Sequence, residues 1–98
     1  MNELKHSKYR EFVEKSVFNL DIRKLSSHTL AEIETVRPSV YLITFDKHKI
    51  KHLSKSGMRI TLLHEIAHAY TDYRYPKARR PHSREWKNTY IDFQRIVL

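Results

Sequence analysis

The rhythm of apolar and polar positions changes along this chain, and each rhythm predicts an element. Over residues 3–20 the spacing is helical. Tyr9, Phe12, Val13, Phe18 and Leu20 fall mostly on one stripe, with Lys8, Arg10, Glu11, Glu14 and Lys15 elsewhere. That pattern predicts an amphipathic packing helix. Residues 28–46 read as β-structure. Thr29, Ile33, Thr35 and Val36 predict one strand, interrupted in propensity by Ala31 and Glu32, and Arg37-Pro38-Ser39 predicts a turn. Val40-Tyr41-Leu42-Ile43-Thr44-Phe45 is the strongest strand signal, β-branched and aromatic throughout. Its near-continuous apolarity fits burial on both faces, or an edge strand along a cleft.

A basic loop over residues 46–57 follows, with Asp46, Lys47, His48, Lys49, Lys51, His52 and Lys55. Helical spacing returns near Gly57 and continues to about Tyr73, carried by Ile60, Leu63, Ile66, Ala67 and Tyr70, with Ser54 or Ser56 as the cap. Pro76 ends that region. A second basic loop holds Arg74, Lys77, Arg79 and Arg80, and Pro81 introduces a last helix over about 82–96 with Trp86, Tyr90, Phe93 and Val97 on one stripe. The elements add up to an α+β fold: an N-terminal helix, a short β-sheet, a central helix and a C-terminal helix. No internal repeat, low-complexity tract or linker divides them.

Composition narrows the picture. The 98 residues allow a single domain, 1–98, with a modest core. The absence of Cys removes disulfides, thiolate metal sites and Cys nucleophiles, and leaves a metal held by His and carboxylates as the available staple. No apolar run approaches the roughly 18 residues of a membrane span. The N-terminal residues lack an apolar stretch of the signal-peptide type, so the expected location is cytoplasmic. With 19 Lys+Arg against 11 Asp+Glu, the formal net charge is +8. Such a charge points to nucleic acid, an acidic partner or an anionic surface.

The chemistry concentrates in His64-Glu65-Ile66-Ala67-His68, an H-E-x-x-H inside a helical pattern. Residues i and i+4 share a helix face, so both imidazoles can reach one zinc ion (Zn2+). Glu65 projects beside that face, where it can act as general base on a zinc-activated water. A catalytic zinc site wants a third protein ligand and an open position. Asp72 continues the i+4 series, but eight helical residues from His64 amount to about 12 Å of rise, too far for one ion. His48 and His52 lie in the first basic loop and read as solvated. His82 and Glu85 lie at the start of the last helix, which a short loop can fold back across the site. His82 is the preferred third ligand, because Pro81 sets the helix entry and Trp86 anchors the same turn. Glu85 remains as the alternative.

Taken together, His64-Glu65-Ile66-Ala67-His68 and Pro81-His82-Ser83-Arg84-Glu85-Trp86-Lys87 resemble the signature of the SprT-like zinc metalloprotease domain. That family includes the proteases Spartan and Wss, which digest proteins crosslinked to DNA. Its signature is H-E-x-x-H followed after a short gap by H-G-x-x-F/W. The gap to His82 fits and Trp86 matches, whereas Ser83 stands where the family has Gly. The motif region spans about residues 58–90. The resemblance implies a small zincin-like α+β domain, a minimal version without the Cys-rich zinc ribbon of many members. It also implies zinc on His64, His68 and His82, with Glu65 as catalytic base.

The expected activity is therefore zinc-dependent hydrolysis of peptide bonds in a protein or peptide substrate, acting near nucleic acid. Tyr75, Tyr90 or an Arg is the expected second donor to the carbonyl oxygen. The strand at residues 40–45 is a place where an extended substrate could add. Arg74, Lys77, Arg79 and Arg80 are the expected DNA contacts, in a basic rim with the first loop. Two other readings share part of these features. A regulatory zinc peptidase of the ImmA type would use a carboxylate third ligand. A basic binding module would use zinc structurally, with His48 or His52 completing four ligands.

Overall fold

A computed structural model describes Leu4, residues 7–76 and residues 82–97. In chain order the elements are α1 (Arg10–Lys15), β1 (Val17–Arg23), β2 (Ala31–Arg37), β3 (Val40–Asp46), a short 3-10 helix (Lys49–His52), α2 (Lys55–Arg74) and α3 (Arg84–Val97). The strands form one sheet in the order β1-β3-β2. β1 runs parallel to β3, from Val17 opposite Val40 to Arg23 opposite Asp46. β2 runs antiparallel to β3, with Ala31 opposite Phe45 and Ile33 opposite Ile43.

The N-terminal region corrects the reading of residues 3–20 as one helix. The helix proper is α1, and it stops at Ser16, whose backbone is extended (φ −94°, ψ 143°). The Ser16 hydroxyl donates to the Phe12 carbonyl at 2.6 Å and so closes the last turn. From there Phe18, Leu20 and Ile22 alternate with Asn19, Asp21 and Arg23 at a period of two, which suits a strand. Pairing with β3 gives that backbone a complete ladder on one side, and this outweighs the helical stripe to which Phe18 and Leu20 also conform.

The strongest strand signal corresponds to the central strand. β3 turns Tyr41, Ile43 and Phe45, each at most 3% exposed, toward the helices. They meet Phe12 of α1, Leu63, Ile66 and Ala67 of α2, and Phe93 and Val97 of α3 in one continuous core. The far face of the sheet carries Asn19, Asp21, Glu32 and Glu34, all solvent-exposed. Because β3 is bonded on both sides, it has no free edge, and the expectation that a substrate strand adds at residues 40–45 is overturned. Among the described residues, the free edges belong to β1 and β2.

An aromatic cluster joins the helices. Tyr9 meets Tyr70 and Phe93 edge-on, both at 4.8 Å between ring centroids. Its hydroxyl donates to Asp92 of α3 at 2.6 Å. Contacts of this kind contribute about 0.5–1.5 kcal/mol each beyond area burial. No helix among the described residues is long and apolar enough to cross a membrane.

Asp46, at the end of β3, organises the approach to α2. Its carboxylate accepts backbone N–H bonds from Leu25 at 2.9 Å, His48 at 3.0 Å and Lys49 at 2.9 Å. Those donors hold its pKa down from 3.8 to about 2. A lowered carboxylate stabilises the fold above its unfolded pKa and loses that contribution as pH falls through its folded value. Thermal melts of wild type and Asp46→Ala across the window from 3.8 down to 2 should therefore differ in slope. The variant should melt lower at neutral pH and lose less stability on acidification. Equal slopes would show that Asp46 is not a source of acid sensitivity.

Candidate metal centre

α2 is well set up to present a rigid face. Ser54 caps it, its hydroxyl accepting the Gly57 N–H at 3.0 Å. Leu63, Ile66, Ala67 and Ala69 are buried behind it. On its open side His64 and His68 stand one turn apart, with ring centroids 5.0 Å from each other. His82, two residues before α3, brings its ring to 5.3 Å from His64 and 4.9 Å from His68. One ligand atom from each of the three lies within 4.8 Å of the others. His64 and His68 are half-buried and His82 is exposed, so the cluster opens outward on the His82 side.

The donor set fits a metal ion. Three imidazoles without a thiolate suit zinc and other borderline first-row metals. Burial, and then the charge of His82, push the His64 pKa down, which favours the neutral imidazole that a metal requires.

A family model described as SprT-like family matches residues 2–95, nearly the whole chain. The chain belongs to the SprT-like family. No curated protein and no solved structure matches it.

Glu65 of this SprT-like chain is unusual among its carboxylates. It is only 6% exposed, and its Oε1 lies 3.8 Å from His64 Nε2. Burial, and then the charge of Glu32, raise its pKa from 4.5 to about 7. It borders a cavity of about 300 Å³ that also meets His28, Ala31, Thr61, His64 and Tyr90. A poised carboxylate, an imidazole cluster and an accessible cavity are the ingredients of general acid–base chemistry at a metal.

Trp86 ties the pieces together. Its indole Nε1–H donates to the His64 carbonyl oxygen at 3.3 Å. Its ring lies nearly parallel to His68 at 5.0 Å, edge-on to His64 at 4.8 Å and tilted to His82 at 4.4 Å. Tyr90, one turn further along α3, stacks on it at 5.2 Å. Ser83, standing where the family has Gly, adds one side-chain bond to a backbone carbonyl bond that any residue there could make. Its hydroxyl accepts the Trp86 N–H at 3.3 Å, while its carbonyl accepts the Lys87 N–H at 3.0 Å. Ser83 thus caps α3 and fixes the turn that carries Trp86.

The remaining candidates are dispersed. Among the described residues, Glu85, Asp72, His48 and His52 do not join the three-imidazole group. Glu85 sits in the first turn of α3, and His48 is engaged through its backbone with Asp46. Tyr75 lies under the Arg74 guanidinium at 5.2 Å, at the end of α2, and is absent from the lining of the Glu65 cavity, whereas Tyr90 is present. Arg74 is the last residue of α2. Lys77, Arg79 and Arg80 lie outside the described residues. His28, in the loop before β2, faces the Glu65 cavity, and nothing in its sequence neighbourhood signals this. Only the packing of β2 beside α2 carries it there.

A raised carboxylate stabilises the fold below its unfolded pKa and loses that contribution as pH rises through its folded value. Metal-free protein should therefore lose stability between pH 4.5 and about 7 in proportion to Glu65 ionisation. Denaturant melts across that window should show the loss in wild type and a flatter profile in Glu65→Gln. Parallel profiles in wild type and Glu65→Gln would mean that Glu65 ionises without penalty.

Proposed function

We propose that this SprT-like chain is a zinc-dependent peptidase that acts on proteins associated with nucleic acid. The observation that carries the reading is the buried Glu65 beside the His64-His68-His82 cluster at an accessible cavity. Zinc, when bound, supplies a Lewis acid that polarises a carbonyl and makes water acidic enough to attack near neutral pH.

The chain's own residues supply the rest. Glu65 accepts the proton of the attacking water at a carboxylate oxygen and returns it to the leaving amine nitrogen. Its place beside His64, 3.8 Å from Nε2, puts the carboxylate within reach of both steps. The Tyr90 hydroxyl has no hydrogen-bond partner among the described residues and borders the same cavity, so it is the donor assigned to the substrate carbonyl oxygen. Burial raises its pKa and keeps it a donor at neutral pH. The outer edge of β2 has no strand partner among the described residues, and α2 packs beside β2. An extended peptide bonded to that edge would run along the cavity mouth at Ala31. Trp86 holds the three imidazoles in register throughout. The basic composition supports substrates held near nucleic acid, with Arg74 and the segment carrying Lys77, Arg79 and Arg80 as the proposed contacts.

The grouping of His82, rather than Glu85, with the motif histidines favours this reading over a peptidase with a carboxylate ligand. The position of His48 and His52 outside the group disfavours a saturated structural site.

Metal analysis by mass spectrometry should find stoichiometric zinc in wild type and little in His82→Ala. Zinc retained in full by the variant would remove His82 from the ligand set. Activity should then separate the roles. With a protein substrate, assayed with and without duplex DNA, Glu65→Gln should keep its zinc and lose at least about 10²-fold in kcat. Tyr90→Phe should keep both zinc and KM and lose about 10²-fold in kcat. Full turnover in Glu65→Gln would refute the general-base assignment.

A further inference from the structure

A second cavity lies apart from the metal centre, between the 3-10 helix and the first two turns of α2. It measures about 380 Å³, and its floor is formed by Ile50, Leu53, Met58 and Leu62, with Lys55 and Arg59 also lining it. None of its lining residues borders the Glu65 cavity. The floor residues are only partly buried, packed against the core from outside. Gly57 helps to shape it: a Cβ there would come within 3.3 Å of Leu53 Cδ2, so the glycine lets Leu53 lie close against α2.

The charge around this groove has one sign. From Lys47 to His64 the sequence contains Lys47, Lys49, Lys51, Lys55 and Arg59 and no Asp or Glu. Lys49 is already engaged, its Nζ donating to the Ser26 and Thr29 carbonyls at 3.0 and 3.1 Å. Lys51 and Lys55 are exposed. The first turn of α2 holds no acidic residue to offset its positive end, so the field there is not cancelled locally.

We propose that this groove docks an acidic segment of a partner protein through an aliphatic anchor side chain. The floor selects the anchor: three branched aliphatics and a methionine form an adaptable apolar surface. The lysines select the flanking carboxylates by charge complementarity. A nucleic acid is the poorer match. Single strands bind through aromatic side chains on which bases stack, and no aromatic residue lines this groove. Duplex backbones need phosphate contacts but have no use for an apolar floor. The proposal is independent of the peptidase reading, because the groove and the metal centre share no lining residue.

The test uses the full chain and a fluorescein-labelled probe peptide with a pair of leucines among aspartates. One control peptide replaces the leucines by serines, and another replaces the aspartates by lysines. Anisotropy at physiological salt should show binding of the acidic leucine peptide in the micromolar range and loss of binding for both controls. Amide shifts in NMR spectra should map to residues 50–62. Lys55→Glu, an exposed substitution that leaves the fold unstressed, should weaken binding about 5-fold. Met58→Asp should weaken it by at least about 10-fold. Equal binding of the serine peptide would reduce the site to charge alone and overturn the proposal. So would shifts on other residues, wild-type affinity in both variants, or a labelled DNA duplex that binds residues 50–62 while the acidic peptide fails to.

Discussion

The indole of Trp86 is the interaction on which the site depends. A helix can place His64 and His68 on one face by spacing alone, but it cannot supply the third imidazole. That requires α3 to lie against α2, and Trp86 is where the two meet: its N–H bonds the His64 carbonyl, and its ring touches all three histidines. Burying a side chain of this size contributes on the order of 1.5–3 kcal/mol, so the same contact that stabilises the helix pair also orders the three imidazoles. Ser83 caps the helix that presents the indole, and Tyr90 stacks on the indole ring. Fold stability and site geometry are thus one set of contacts.

The sheet supports this arrangement from behind. β3 is enclosed by β1 and β2, and its inward residues Tyr41, Ile43 and Phe45 form the wall on which α2 packs. β2, lying at the edge beside α2, brings Glu32 near enough to help raise the Glu65 pKa and brings the loop with His28 to the cavity. The environment of the site therefore depends on a strand that contributes none of the three clustered histidines. Asp46 performs a comparable service at the other end of β3. By gathering the N–H groups of Leu25, His48 and Lys49 it fixes the path into the 3-10 helix and the start of α2.

Much of this is legible in the residues, for local reasons. The helix carrying His64, Glu65 and His68 has an apolar back, a serine cap and helical spacing throughout, and all of these act within a few residues of one another. The α+β class follows in the same way from the change of period between residues 40–45 and 57–73. The region around Val17 departs from its helical expectation because its signal is ambiguous locally. Phe18 and Leu20 suit a helical stripe as well as a strand alternation, and the choice is made by β3, a parallel partner that lies beyond an intervening strand. The place of residues 40–45 in the sheet is hidden for a related reason: apolarity on both faces reports burial, while the presence of neighbours on both edges is a property of the sheet.

The sequence by itself determined the chemistry: two imidazoles and a carboxylate at helical spacing, a third histidine beside a helix-anchoring tryptophan, and no cysteine to offer another site. It also determined the family, through motifs that a short stretch of chain contains almost in full. Only the tertiary structure decided the environment of those groups. The depth at which Glu65 sits, the distance from His82 to the helix, the presence of Tyr90 rather than Tyr75 at the cavity and the groove beside the basic segment all arise where distant segments pack. The physical reason is that residue identity and spacing act through bonds along the chain. Dielectric, exposure and charge act through space, and they exist only once the sheet and helices have closed on one another.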